Sequence, residues 1–105
     1  MALYGLTLSL ADTSVHKLSD LIAAATGYAT ATNRFAQVSV QADPGNAGNV
    51  YLGDPNVAST NMGANLTAGL TYSSGPHESN LVSTLDIHVR ASAATQKINV
   101  ALRTV

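Results

Sequence analysis

The feature that most constrains the fold is an alternation of apolar and polar residues that recurs in short stretches along the chain. In residues 3–10, Leu6 and Leu8 fall on one side of an extended backbone, while Thr7 and Ser9 fall on the other. A period of two residues is that of a strand with one buried face. The same period is found in residues 37–41, 49–53, 85–91 and 97–105. The sequence therefore predicts a domain built of strands that each bury one face.

Sequences typical of tight turns separate two pairs of these stretches, so each pair predicts an antiparallel hairpin. Residues 35–41 and 49–53 flank the sequence Asp-Pro-Gly-Asn-Ala-Gly, in which proline fixes φ and glycine permits positive φ. Residues 85–91 and 97–105 flank a second short polar turn. The apolar sides of these stretches give the predicted core, which is Val38, Val40, Val50, Leu52, Ile87, Val89, Ile98 and Val100.

One stretch, residues 19–25, has the pattern of a helix. Ser19 can cap it, Asp20 favours its positive end, three alanines extend it and Gly27 ends it. A helix this short is stable only when it packs on a sheet. Short strands at regular spacing, without alternating helices, indicate an all-β sandwich or jelly roll formed by residues 1–105 as a single domain.

Composition limits the possible partners. The 105 residues carry a net charge of −1, only 10% of them are charged and none is cysteine, so neither nucleic acid nor a disulfide framework is expected. A soluble domain usually carries about 25% charged residues. Either a protein-binding surface or simply a polar, uncharged surface explains the difference. The N-terminal residues lack a basic segment and the apolar runs are too short for a membrane span, which predicts synthesis in the cytoplasm.

No residue pattern points to catalysis, a metal or a cofactor. The three histidines have no ligand spacing. Asp86, His88 and Arg90 share one face of a predicted strand. Such a row could be part of an acid–base site, but it is more often a solvent-facing row or a set of cross-strand pairs. Asp43 and Asp54 each precede a proline, where a carboxylate usually caps a turn. We therefore expect a protein that is not an enzyme.

Three segments resemble small structural proteins of tailed bacteriophages. They are GNVYLGDPNV (48–57), GANLTAGLTY (63–72) and LDIHVRASAATQKINV (85–100), and the resemblance covers roughly residues 37–100. It implies a virion component with a β-sandwich fold, most often a decoration or cement protein. Such a protein binds the major capsid protein or other virion subunits as a symmetric homo-oligomer, for which a trimer is the expected form.

Exposed-looking loops are the expected places of contact with such a partner. The loops at 59–64 and 73–80 contain the predicted contact residues Asn61, Met62, Ser74, His77 and Glu78. An alternative is a carbohydrate-binding or receptor-binding β module of a head fibre or tail. Sugar sites usually present aromatic platforms, and the chain has no Trp, one Phe and four Tyr, which favours the first function.

Overall fold

Strands account for most of the regular structure, as the alternating pattern predicts. The computed structural model describes residues 3–26, 34–74, 82–83 and 87–103. In chain order its elements are β1 (Leu3–Leu10), β2 (His16–Lys17), α1 (Leu18–Thr26), β3 (Arg34–Phe35), β4 (Gln37–Ala42), β5 (Val50–Gly53), β6 (Ala64–Leu66), β7 (Thr71–Ser74), β8 (Val82–Ser83), β9 (His88–Ala91) and β10 (Gln96–Arg103). Strand β7 follows a turn at Gly69, where φ is +84°, and β6 begins at the end of the segment 59–64 that was predicted as a loop.

The strands form two four-stranded antiparallel sheets that share one buried core, which confirms the prediction of an all-β fold with one short helix. Sheet I has the strand order β1-β10-β4-β7, and sheet II has the order β2-β9-β5-β6. The short strands β3 and β8 pair with each other. Every pairing is antiparallel.

Neither predicted hairpin forms. Strands β4 and β5 are consecutive along this part of the chain, yet β4 belongs to sheet I and β5 to sheet II. Strands β9 and β10 are divided between the two sheets in the same way. The reason is that a polar turn shows where a strand ends, but not whether the chain returns to the same sheet. Here each turn carries the chain across the core to the facing sheet.

The pairings follow one rule along the chain. Strand β1 pairs with β10, β2 with β9, β4 with β7 and β5 with β6. The first four of these strands thus run against the last four in reverse order, as in one long hairpin with its tip between β5 and β6. The additional pairings of β10 with β4 and of β9 with β5 arise because this hairpin is rolled up.

The inward sides of the strands supply most of the core. Burial alternates along β4 and β5 with a period of two residues. All of the predicted core residues are buried except Ile87, which is half-buried and packs against the core from the residue before β9. The carbonyl oxygen of Ile87 accepts a hydrogen bond of 2.9 Å from the backbone N–H of Leu18, which joins the start of α1 to sheet II.

Helix α1 begins one residue earlier than predicted and packs against the core through Leu18, Ile22 and Leu21. Ser19 was predicted as its N-cap, but it lies inside the first turn, and its buried Oγ has no hydrogen-bond partner among the described residues. The predicted stop, Gly27, lies outside the described residues. Within the described ranges the structure has no helix long and apolar enough to cross a membrane.

Candidate functional site

The predicted contact residues are described only in part. His77 and Glu78 lie outside the described residues, and Ser74 is the last residue of β7. Asn61 is exposed and Met62 is half-buried, both in the loop that joins β5 to β6. Their role in contact with a partner stays a prediction.

The loop between β5 and β6, residues 54–63, is held by its own hydrogen bonds. The backbone N–H groups of Ala58 and Asn61 each donate to the carbonyl oxygen of the other, at 2.9 and 3.0 Å. The Asn61 side chain donates from Nδ2 to the carbonyl oxygen of Asn56 at 3.2 Å. Asp54 accepts from the backbone N–H of Asn56 at 2.8 Å, which confirms its predicted turn-capping role.

This loop covers part of the outer face of sheet II. Val57 is fully buried although it lies outside the main core cluster. A Cβ added to Gly53 of β5 would lie 3.1 Å from Val57 Cγ2, so Val57 packs directly on that strand. Arg90 of β9 donates from Nη1 to the carbonyl oxygen of Val57 at 3.3 Å and from Nε to that of Thr13 at 2.8 Å. The Arg90 side chain therefore ties two loops to sheet II.

The prediction that the row on β9 faces solvent is wrong for His88. Alternation with the buried Val89 places His88 on the outer face of sheet II, yet only 9% of it is exposed. Its strand partner is Gly53, beside Val57 of the covering loop. The buried Nδ1 atom has no hydrogen-bond partner within the described part of the chain. Asp86, the third member of the row, lies outside the described residues.

The outer face of sheet I is open and carries two rows of small or uncharged side chains. The first row crosses the four strands as Thr7, Asn99, Gln41 and Thr71. The second crosses them as Gly5, Ala101, Ser39 and Ser73. We call these eight residues the polar face. All are exposed or half-exposed, and none carries a charge.

Hydrogen bonds between neighbouring strands hold the side chains of the polar face in place. Thr7 donates from Oγ1 to Oδ1 of Asn99 at 2.9 Å, and Asn99 donates from Nδ2 to Oε1 of Gln41 at 3.1 Å. Gln41 in turn donates from Nε2 to the carbonyl oxygen of Gly69 at 3.3 Å. The hydroxyl oxygens of Ser39 and Ser73 are 2.8 Å apart. The face is therefore ordered before any partner binds.

The polar face is also concave. A shallow depression of about 480 Å³ lies over it, because Gly5 and Ala101 leave room between larger neighbours such as Gln41 and Asn99. No aromatic side chain lines this depression, and no group of acidic residues or histidines suited to a metal occurs among the described residues. The described side chains that line it offer neutral hydrogen-bond donors and acceptors.

One ionised carboxylate lies at the rim of the polar face. The backbone N–H of Gly45 donates to Asp43 Oδ2 at 2.9 Å, and the Asn99 amide donates to Oδ1 at 3.1 Å. These bonds, with the nearby charge of Lys97, lower the pKa of Asp43 below its usual range. Asp43 therefore caps its turn, as predicted, and also positions the Asn99 amide for the face.

A second carboxylate with a lowered pKa, that of Asp12, stabilises the turn after β1. The Ser14 hydroxyl, 2.6 Å from Asp12 Oδ1, and the His16 ring, 2.8 Å from it, lower the pKa of Asp12 to about 2. The backbone N–H of Ser14 adds a third hydrogen bond at 3.0 Å. These residues all come from one short segment, and their contacts account for its turn.

Sequence reasoning did not identify the polar face, although its signal was present. The polar sides of the alternating stretches that form β1, β4 and β10 each supply two of its residues, for example Thr7 in β1 and Asn99 in β10. Only the strand order of sheet I shows that the polar sides of these strands lie next to one another. No protein-family model matches the chain, and no curated protein or solved structure shows significant similarity to it.

Proposed function

We propose that this protein is a non-enzymatic structural domain that binds other protein subunits, and that its place is a bacteriophage capsid, as a decoration or cement protein that assembles as a symmetric homo-oligomer. The observation that carries the proposal is the polar face. It is open, uncharged and ordered by its own hydrogen bonds, whereas part of the opposite sheet is covered by the loop between β5 and β6. A subunit that binds a protein lattice needs one such available side.

The physical chemistry of the polar face suits protein contact. Its hydroxyl side chains are short, and the longer amide side chain of Gln41 is already held by hydrogen bonds, so little further side-chain entropy is lost when the face is buried. Because Asn99 and Gln41 are already positioned by hydrogen bonds, a partner meets a prearranged pattern of donors and acceptors. On a lattice, many weak copies of such a contact add up to firm attachment.

The strand order is compatible with the proposal at the level of the fold. Without β3 and β8, which pair only with each other, eight strands remain, and the first four run against the last four in reverse order. We infer a jelly roll from this order, since that fold consists of eight strands in two sheets wound as Greek keys. Jelly rolls occur in viral capsid domains and in lectins, so the fold admits both functions considered and decides neither.

The second candidate function, a carbohydrate-binding module, is favoured by one observation: amides and hydroxyls in rows can also bind sugar hydroxyls. The absence of an aromatic platform on the polar face argues against it. Tyr51 lies on β5 in sheet II, and Tyr72 of β7 pairs with the inward-facing Val40. A glycan array tests this candidate directly, and specific binding that a substitution on the polar face abolishes would favour it over capsid binding.

Co-sedimentation with capsids that lack the protein tests the proposal. Thr71→Arg places a long charged side chain on the exposed edge of the polar face and should weaken binding, whereas Ala24→Arg, on the exposed side of α1, should not. Asn61→Arg tests the loop predicted from the sequence in the same assay. Binding should depend only weakly on salt, because the polar face carries no charge itself and few charges, such as those of Asp43 and Lys97, lie at its rim. No binding by the unmodified protein at micromolar concentration would contradict the proposal.

A further inference from the structure

Strand β1 is a long edge strand that contains neither a charged residue nor a proline. It forms one border of sheet I and pairs with β10 over all of its residues, from Leu3 to Leu10. Among the described residues, no strand pairs with its other side. The exposed row of backbone N–H and C=O groups on such an edge can accept another strand.

The other three edge strands of sheets I and II are less suited to this role. Strand β2 has two residues, one of them Lys17, β6 has three, and β7 has four. By contrast, β1 has eight residues and contains no charged residue and no proline. Charges, prolines and short length are the usual means by which proteins keep edges from pairing. Of the described edges, β1 alone combines length with the absence of both.

We propose that β1 pairs antiparallel with β1 of a second copy of this chain, across a two-fold axis at Thr7. This inference deepens the proposed function, since it rests on the proposed homo-oligomer and names its contact, but it does not depend on the capsid. A two-fold axis lets a strand pair with its own copy without any other sequence. Pairing through β1 gives one continuous eight-stranded sheet from the two copies of sheet I.

The residues of β1 favour one register. Opposed residues in an antiparallel pair face the same side of the sheet, whereas neighbouring residues of a strand face opposite sides. The two-fold axis must therefore set one residue of β1 opposite the same residue of the other copy, and not opposite its sequence neighbour. An axis at Thr7 sets residues 4–10 of one copy against residues 10–4 of the other. Thr7 then faces Thr7, Gly5 faces Ser9, and Leu6 faces Leu8 on the core side. Every opposed pair is uncharged, and opposed threonines are a favourable cross-strand pair.

This register also continues the polar face from one copy to the next. The row of Thr7, Asn99, Gln41 and Thr71 meets its symmetry equivalent at Thr7 and so crosses eight strands. On the core side, Leu6 is only half-buried in the single chain and becomes covered by Leu8 of the other copy. A partner with a charged or proline-containing strand would gain neither of these features, which is why a second copy fits best.

Introduced cysteines test the contact and its register together. The chain has no cysteine, so any disulfide reports a contact between copies. Opposed residues in an antiparallel pair have Cα atoms about 4.5 or 5.5 Å apart, within the range that a disulfide spans. Thr7→Cys should therefore form a covalent dimer in nearly full yield under mild oxidation. Ser9→Cys alone should not, whereas a mixture of Ser9→Cys and Gly5→Cys should.

The chain offers matched controls. Thr71→Cys lies exposed on the same face at the opposite edge and should remain monomeric on a denaturing gel. Gly5 tolerates a side chain, because no atom lies within 4 Å of the position that its Cβ would occupy. Each reduced variant should keep the circular dichroism spectrum and the melting temperature of the unmodified protein, which shows that the fold is intact.

Mass measurement in solution provides an independent test. The unmodified protein should have twice the mass of the chain, and not the threefold mass of the trimer expected at the outset. Thr7→Lys sets two like charges against each other at the axis and should raise the dimer dissociation constant about tenfold or more. Thr71→Lys should leave it unchanged.

Three results would overturn the proposal. A monomeric unmodified protein whose Thr7→Cys variant does not cross-link excludes self-pairing, and co-sedimentation then decides separately about the capsid. An oligomer whose Thr7→Cys variant does not cross-link places the contact elsewhere and leaves the proposed homo-oligomer standing. Equal cross-linking of Thr7→Cys and Ser9→Cys excludes the two-fold register at Thr7.

Discussion

Asn46 and Lys97 are joined by two reciprocal hydrogen bonds, although 51 positions separate them in the chain. Asn46 Nδ2 donates to the carbonyl oxygen of Lys97, and the backbone N–H of Lys97 donates to Asn46 Oδ1, both at 2.8 Å. The side-chain amide thus occupies the place of a backbone peptide group beside β10. It holds the turn at the point where the chain leaves sheet I for sheet II.

Asn46→Ala should lower the free energy of unfolding by about 0.5–1.5 kcal/mol, because it removes the acceptor of the Lys97 N–H and one of the two hydrogen bonds to the Lys97 carbonyl oxygen, which still accepts from the backbone N–H of Asp43 at 3.1 Å. Urea denaturation monitored by circular dichroism measures the change. Ala47→Ser, at the exposed next position, is the control and should change stability by less than about 0.5 kcal/mol. An equal effect of the two substitutions would show that the reciprocal bonds contribute nothing.

Thr95→Asn should raise the stability of the protein. Thr95 has φ of 60°, in the left-handed region, which is unfavourable for a β-branched residue. Asparagine adopts this conformation more readily, so we expect a gain of about 0.5–1 kcal/mol from relief of backbone strain. Thr95→Val keeps the branched side chain and should give no gain in the same denaturation experiment. A less stable Thr95→Asn variant would mean that the Thr95 hydroxyl, 2.7 Å from the carbonyl oxygen of Ala94, matters more than the strain.

Val89→Asp should destabilise the protein by several kcal/mol, as expected for an unpaired carboxylate in a core. Val89 is fully buried in β9, the strand that lies between β2 and β5. Asn65→Asp, on an exposed position of β6 in the same sheet, introduces the same group in water and is the control. A soluble Val89→Asp variant with an unchanged melting temperature would contradict the assignment of the core face.

Asp12 should make stability depend on pH in the acid range. Because its pKa is lowered from 3.8 to about 2 in the folded protein, the contribution of its ionised form is present above pH 3.8. This contribution is lost as the pH falls toward 2. The Asp12→Asn variant should therefore be less stable than the unmodified protein at neutral pH, and the difference should shrink at the acid end. Urea denaturation over this pH range measures it, and a constant difference would exclude the effect.

The sequence predicted which residues form strands better than it predicted which strands are neighbours. Alternation identified β1, β4, β5 and β10, because burial of one face is a local property. The division of consecutive strands between two sheets is not local. The segment between β4 and β5 has the residues of a tight hairpin turn, yet Asn46 in it bonds to Lys97 of β10 and not to β5.

The candidate site was harder to predict for the same reason. Thr7 and Asn99 could each be assigned to the polar side of a strand, but their hydrogen bond depends on a pairing between the two ends of the described chain. His88 shows the opposite case. Its strand position faces outward, but the loop containing Val57 folds back over that side, and a pattern of period two cannot detect a covering loop.

The strand order has a consequence for how the protein is made. Strand β10 lies in the middle of sheet I, between β1 and β4, and β9 lies in the middle of sheet II, between β2 and β5. Both strands come after the other described strands along the chain, so neither sheet can be completed before the ribosome has translated His88 and the residues that follow it. Until then, no strand fills the space between β1 and β4 in sheet I or between β2 and β5 in sheet II. Folding therefore completes only after synthesis of these last strands, and a chain that terminates before them lacks the centre of both sheets.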